Sequence, residues 1–457
     1  MVETVERADL RALPLAPMNP LPYRQQLKAL RAFHTGVETL RDAGGSVTRL
    51  RLAPQWLMPQ AVIATSPQGA HDILGRSGAH IEKTVIHQEV RNVLGPNLFD
   101  LPYEPWLPRR RALQPVFTKQ HVRDFAGHMA QAAELVAADW AGEAEVDLDE
   151  QCRRLTLRAL GRSVLGLDLD ERSDAIGEPL RVALEYATDR ALRPLRAPRW
   201  LPTPARRRAR AASATLHRLA AEILQACRSD PARDAPLVHA LLAATDPATG
   251  RGLSDDEICD ELVVFMLAGH DTTATTLTYS LWALGQHLDM QEKVRAEVAE
   301  IGDRELAPED VSRLGYTIQV LHEALRLCPP GAGVTRMAMQ DIQVDGYRVD
   351  AGTVVFVGIY ALHRDPSLWE QPLAFDPERF SPANSKARDR WQYLPFGAGP
   401  RSCIGDHFAM LEATLALATI IRRTEIRSVD TDFPMSVPFT TVAAEPIRAQ
   451  VKEITHA

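Results

Sequence analysis

Apolar positions recur along most of this chain at helical spacing, and the few stretches that alternate with period two gather in two places. Near the start, Val47-Thr-Arg-Leu-Arg-Leu and Val62-Ile-Ala-Thr alternate as short strands do. Ser66-Pro-Gln-Gly-Ala-His-Asp-Ile-Leu follows as a helix capped by its serine. Later, Ile342-Gln-Val-Asp-Gly-Tyr-Arg-Val carries an Asp345-Gly346 hairpin signal, and 353–357 is a continuous β-prone run. The strongest helix opens at Ser254, where Ser254-Asp-Asp-Glu257 reads as a capping box with two further acids in the first turn. Its pattern persists to about His287, a length of ~50 Å at the usual helical rise. In its middle, Ala268-Gly-His-Asp-Thr-Thr273 interrupts the apolar run 262–267 with a glycine, two titratable side chains and two β-branched alcohols. A local rule broken inside a buried helix marks strain or a site. The plainer alternative is a polar turn facing solvent, and the apolar residues on both sides weigh against it.

No repeat of fixed period and no Gly/Ser linker divides the 457 residues, so the expectation is a single domain over 1–457, with 1–20 a loosely ordered arm broken by prolines. A composition of 45% hydrophobic and 24% charged residues is ample for a large core. The net charge of −7 lacks the basic footprint that attracts nucleic acid. Five widely scattered cysteines, with no zinc-knuckle or redox-pair spacing, point to a reducing compartment. The first forty residues hold no apolar run fit for a signal peptide or a membrane span, so a cytoplasmic protein without a transmembrane anchor is expected.

The chemistry centres on Phe396-Gly-Ala-Gly-Pro-Arg-Ser-Cys403-Ile-Gly405, followed by a helix with Phe408, Leu411, Leu415 and Ile420 on one face. A cysteine just before a helix N-terminus is expected to have its thiol pKa lowered by the helix dipole and by free N–H groups. Gly397 and Gly399 would let the loop approach a flat cofactor, Phe396 would shield the sulfur, and Arg401 would reach a carboxylate. A lone cysteine is far more often an inert buried thiol. Here the ten residues match without a gap the haem-ligand signature Phe-x-x-Gly-x-Arg-x-Cys-x-Gly, and the chain resembles the cytochrome P-450 superfamily.

The resemblance extends to further segments in the family's order. Glu323-Ala-Leu-Arg326 resembles its Glu-x-x-Arg, and Phe375-Asp-Pro-Glu-Arg379-Phe the segment whose arginine joins that pair. Glu323, Arg326 and Arg379 are thereby implied as structural supports of the cysteine loop, although taken alone such a pair is more often an exposed salt bridge. Residues 268–273 are similar to the family's oxygen-binding groove, with Ala268 against the haem and Asp271 and Thr272 assisting proton delivery to bound dioxygen. Trp106-Leu-Pro-Arg-Arg110 resembles the Trp-x-x-x-Arg that grips a haem propionate, but its proline-broken lead departs from the family pattern. Arg336 stands where the family places another propionate partner. The resemblance implies a mainly α fold, a triangular helical prism with a small β-rich lobe. Haem b lies between the long helix and the cysteine loop, with the Cys403 thiolate as axial metal ligand.

Such an enzyme inserts one oxygen atom of O2 into a hydrophobic substrate and needs a separate electron donor, a ferredoxin or flavodoxin with its reductase. Arg109, Arg111, Lys386, Arg388, Arg390, Arg422 and Arg423 are the cations that could form its docking patch, or they are plain solvated charge. A monomer is expected. For substrate, the wording of the groove and the Trp200-Leu-Pro-Thr-Pro204 segment resemble the lipid-oxidising branch, pointing to a fatty-acyl or terpenoid compound. Gly331, Val334, Phe439 and Thr440 are the expected pocket walls. A polyketide or macrolide hydroxylase, a peroxide-driven peroxygenase and a haem-based sensor are the alternatives. Asp271 and Thr272 argue against the peroxygenase, and the lack of a visible output domain against the sensor.

Overall fold

The computed structural model describes residues 10–52, 58–76, 80–140, 144–166, 173–193 and 195–454. Helices dominate, organised around the long helix Asp255–Gln286, whose rise gives it a length of ~48 Å. Both bonds of its capping box form: Glu257 N donates to Ser254 Oγ at 3.3 Å, and Ser254 N donates to a Glu257 carboxylate oxygen at 2.9 Å. Because it is apolar on nearly every side, it is buried along most of its length and packs against Leu148–Leu160, Pro204–Ser229, Gly315–Leu327 and Asp406–Arg423. The structure ends it at Gln286, with His287 as C-cap.

The alternating stretches form a β lobe with its own core. A five-stranded sheet runs in the order Val47–Leu50, Ala61–Ala64, Val354–Val357, Val334–Ala338, Ile81–Glu82. Its inner face, with Val62, Val355 and Val357, packs on Ile73 and Leu74 of the helix Pro67–Leu74. That helix is capped as its sequence requires, Gly69 N donating to Ser66 Oγ at 3.0 Å. The hairpin Ile342–Val344 to Tyr347–Val349 turns through Asp345 at φ 48° and Gly346 at φ 81°, the left-handed pair that a two-residue type I′ turn needs. A three-stranded sheet of Glu145–Asp147, Arg448–Glu453 and Thr424–Ser428 fastens the C-terminal segment to the helical core.

One expectation needs correcting. Residues 1–9 lie outside the described part, but from residue 10 onward the supposed loose arm is pinned. Leu15 bridges Arg348, Met18 bridges Arg49, and the buried Asn19 side chain donates to Leu40 O at 2.8 Å. Its prolines suit it to this role, since a segment lying along a sheet edge does not need every N–H to pair.

Candidate active site

Cys403 sits two residues before the N-cap of Asp406–Arg423, in a loop whose backbone folds back on itself: Cys403 N donates to Phe396 O at 2.9 Å and Gly405 N points at Sγ from 3.3 Å. Phe396 is half-buried. The two glycines do different things. Gly397, at φ 66°, has open space where a side chain would stand. A Cβ on Gly399, at φ 72°, would meet Leu74 O at 1.9 Å, so this glycine serves the approach of the loop to the helix Pro67–Leu74 and not to a cofactor. The expected lowering of the thiol pKa is also corrected. Burial pushes the Cys403 thiol up, while the Gly405 N–H and the Arg110 charge pull the other way without prevailing. Desolvation outweighs the helix terminus, so a bound cation's charge is what would hold the sulfur anionic.

The other expected site residues lie in the middle of the long helix, which packs against the helix Asp406–Arg423 that follows the cysteine loop. Ala268 is exposed although 262–267 and His270 are buried, and Thr272 lies one turn further on the same face. Thr272 Oγ1 donates to Ala268 O at 2.6 Å, and Thr275 and Thr276 bond back to the carbonyls of Asp271 and Thr272 at 2.9 and 3.0 Å. Asp271 points elsewhere, into an ion pair with Arg153, which also holds Asp149 at 2.7 Å. The adjoining His270 is kept neutral, because burial outweighs the nearby Asp271 charge and lowers its pKa.

A third group is cationic. Arg336, on the strand Val334–Ala338, is buried and donates to Thr335 O at 2.9 Å. Burial, then the Arg401 charge, pushes it down to about 10; burial pushes Arg401 down to about 10 against the pull of Glu82. Arg401 donates to Leu101 O at 2.7 Å and lies 4.3 Å from the Trp106 ring, while its buried Nη2 has no hydrogen-bond partner. Beside them stands Lys83, driven far below its ordinary value by burial and by both arginines. Sequence reasoning missed Lys83, and nothing in the local pattern could have found it. The pairing of Ile81–Glu82 with Met337–Ala338 is what sets it next to Arg336. Arg110 stands apart from this group, half-buried, with Cys403 and Asp406 as the anions acting on it.

These features fit a flat dianionic macrocycle bound through a metal. Cys403 is exposed, and Lys83 lines a small pocket with Arg336 and Arg401. A soft sulfur donor, an exposed alanine on the long helix and an incompletely paired Lys–Arg–Arg group have the chemistry that the iron, face and propionates of haem call for.

Glu323 and Arg326 are fully buried and doubly bonded at 2.7 Å, and Arg379 Nε reaches Glu323 at 3.3 Å. Arg326 also donates to His363 O at 2.9 Å, and His363 Nε2 accepts from Leu394 N at 2.8 Å, two residues before Phe396. Thr441 N donates to Pro330 O at 2.8 Å and Thr275 Oγ1 to Thr441 O at 3.0 Å, joining the segments that carry the expected pocket residues Gly331, Val334, Phe439 and Thr440 to the long helix. Phe439 meets Phe99 edge-on, ring centroids 5.7 Å apart.

The docking patch shrinks. Arg109 is buried and bonded to Glu261 at 2.6 Å and Glu257 at 2.8 Å. Arg422 is buried against Glu134, which also takes Arg423 at 2.8 Å, and Arg388 packs 4.3 Å over the Phe380 ring. Arg111 and Lys386 are the cations of that set left exposed without such a partner among the described residues, while the exposed Arg390 lies 5.1 Å from the Trp391 ring. Among the described residues no helix is long and apolar enough to cross a membrane.

Comparison with known proteins gives a consistent picture. The family profile described as Cytochrome P450 matches residues 15–452. Cyclooctatin synthase of Streptomyces melanosporofaciens is 32% identical over 95% of this chain and 93% of its own. Pentalenene oxygenase of Streptomyces avermitilis is 29% identical, covering 83% and 84% respectively. Among solved structures, the haem domain of cytochrome P450DA superposes with a TM-score of 0.86 at 26% identity over 97% of this chain and 98% of its own. The retinoic acid-bound cyanobacterial CYP120A1 superposes at 0.84, with 25% identity over 97% and 100%.

Proposed function

Since the chain belongs to the cytochrome P450 family and is a haem monooxygenase, we propose that it oxygenates terpenoid-like hydrocarbons and alcohols. Bound haem supplies reductive activation of O2. Cys403 would ligate it, and Lys83, Arg336 and Arg401 would hold its propionates. Arg110 adds positive charge beside the sulfur. Ala268 would leave room beside the haem, and Thr272 would offer its hydroxyl near it. Asp271 feeds protons toward that hydroxyl when its carboxylate lets go of Arg153. Glu323, Arg326 and Arg379 fix the loop through His363 and Leu394. Electrons come from a separate small redox protein of the ferredoxin or flavodoxin type, met by the exposed Arg111, Lys386 and Arg390.

The observation that supports the substrate class is the edge-on contact of Phe439 with Phe99, two rings that both keep accessible surface. The contact is joined to the long helix through Thr441 and offers aromatic surface. Two relatives carry names that support this class, Cyclooctat-9-en-7-ol 5-monooxygenase of Streptomyces melanosporofaciens and pentalenene oxygenase, while Leukotriene-B4 omega-hydroxylase 3 of Mus musculus is named for a different substrate. The test is a spin-state titration of the purified holoprotein, followed by turnover under 18O2 with a surrogate ferredoxin system. Cyclic terpene alcohols should shift the Soret band and gain one labelled oxygen, and Cys403→Ala should lose the red-shifted carbon monoxide spectrum. Spin shifts with straight-chain fatty acids alone would replace the terpenoid reading with a fatty-acid one.

A further inference from the structure

One histidine away from the haem site is set between two acceptors. His217, half-buried on the helix Pro204–Ser229, brings Nδ1 to Ser213 O at 2.8 Å and Nε2 to Asp260 Oδ1 at 3.0 Å. A carbonyl and a carboxylate both accept, so a neutral imidazole satisfies one of them and turns a lone pair on the other. The geometry therefore calls for a proton on each ring nitrogen. Asp260, on the long helix, is buried, and His217 is its one side-chain partner among the described residues. The chain at Gly95 is seated directly on this carboxylate, since a Cβ there would stand 2.1 Å from Asp260 Oδ1. Ser213 Oγ donates to Val93 O, and Glu261, next after Asp260, accepts from Leu98 N at 3.2 Å. The segment 95–100, which carries Phe99, thus rests on one junction of three helices, Val85–Leu94, Pro204–Ser229 and the long helix.

We propose that the His217–Asp260 pair positions the segment 95–100, gripping it while His217 is charged and releasing it once His217 is neutral, a role that rests on the reading of Phe99 as part of the substrate site. With the imidazole neutral, the buried Asp260 carboxylate keeps its charge but loses its donor, and the strain is relieved by letting water in at the seat of Gly95. The hydrogen bond to Asp260 raises His217 above its ordinary value, against the desolvation that lowers it. The grip is therefore complete below about pH 6.5 and is lost as pH rises through the raised value. Asp260 is the charged group that acts on the ring. The helix Val85–Leu94 presents to it the backbone of Leu94, while Arg91 bonds to Asp100 at 3.2 Å and Glu261 to Arg109 at 2.6 Å. Burial raises both Asp100 and Glu261 to about 7, so these two are the groups whose titration must be told apart from that of His217.

The experiment follows two readouts on the holoenzyme from about pH 6 to about pH 9: amide-hydrogen protection over 93–101, corrected for intrinsic exchange, and the association of tert-butyl isocyanide with the ferrous haem, with carbon monoxide as the small control. In the parent, protection should fall about tenfold as pH rises and isocyanide association should quicken several-fold, while carbon monoxide changes less than about twofold. His217→Arg keeps a cation at every pH and should hold the low-pH values throughout. His217→Gln should show the loosened values throughout. Asp260→Asn offers an amide donor to an unprotonated Nε2, so it too should lose the pH dependence and stay tight. Unchanged unfolding temperatures and carbon monoxide spectra show that each variant is folded. Protection independent of pH in the parent would overturn the proposal. So would a pH profile that survives in His217→Arg, since it would belong to Asp100 or Glu261. Protection that tracks the charge of His217 while isocyanide entry does not would uphold the grip on 95–100 and overturn the placing of Phe99 at the substrate site.

Discussion

Arg326 and Arg336 are both buried guanidiniums, and they treat their hydrogen-bonding capacity in opposite ways. All five N–H donors of Arg326 find protein acceptors: two carboxylate oxygens of Glu323 and the carbonyls of His363, Pro372 and Ala374. Arg336 makes one hydrogen bond among the described residues, to Thr335 O, with Arg401 and Lys83 as neighbours of like charge. A satisfied buried charge belongs to the scaffold, whereas one left underpaired among like charges is poised for an anion the chain does not itself provide. The contrast supports a scaffold role for Arg326 and the proposed ligand-holding role for Arg336.

The largest effect should come from breaking the satisfied cluster. Glu323→Gln leaves Arg326 charged and underpaired, and urea unfolding should show a loss of about 3–5 kcal/mol, the usual result of removing one partner of a buried pair. A loss under ~1 kcal/mol would show that the cluster does not support the loop.

Arg336→Met should behave oppositely. Removing a poorly paired charge leaves the haem-free protein as stable as before or more so, while haem transfer to apomyoglobin accelerates about 10–100-fold, matching the ~1.5–3 kcal/mol of a lost charge-assisted bond. Equal destabilisation with and without haem would make Arg336 a scaffold residue like Arg326.

A third cluster sharpens the comparison from the acidic side. Arg109 holds both Glu257 and Glu261, and burial raises Glu261 to about 7 although Arg109 opposes it. Its folded value lies above the unfolded one near ~4.3, so the folded state binds the extra proton between these limits. The stability it contributes is fully present below about pH 4 and is lost as pH rises toward 7, by up to ~1.4 kcal/mol per pH unit. Unfolding curves of Glu261→Gln should lack this component between pH 4.5 and 7, and a slope identical to that of the parent would remove Glu261 as its source.

The smallest effect belongs to the exposed cations. Arg111→Glu combined with Lys386→Glu and Arg390→Glu should leave the unfolding midpoint unchanged and slow ferredoxin-dependent reduction several-fold at low salt, with the difference vanishing at high salt. A reduction rate insensitive to all three would move the electron donor to another face.

Much of this was legible from contiguous residues. The capping box at Ser254, the Asp345-Gly346 turn and the helix cap at Ser66 are local hydrogen-bond problems with local solutions, and each formed where its residues stand. The cysteine loop was legible for the same reason, its ten residues lying together. Burial was not. Arg109, Arg388 and Arg422 read in sequence like Arg111 and Lys386, and tertiary packing alone divides them into core ion pairs, a ring-stacked arginine and exposed surface charge. The same holds for Cys403, whose helix terminus is visible in the sequence while the opposing desolvation is not. Lys83 joins Arg336 only through strand pairing, and Glu412 becomes an acid held protonated far above the ordinary carboxylate range only because the helices around it exclude water. The sequence by itself determined the elements, their caps and the haem-binding signature, because these depend on neighbours along the chain. The tertiary structure decided which charges are paired, which are poised for a ligand and which face outward, because desolvation depends on everything packed around a group.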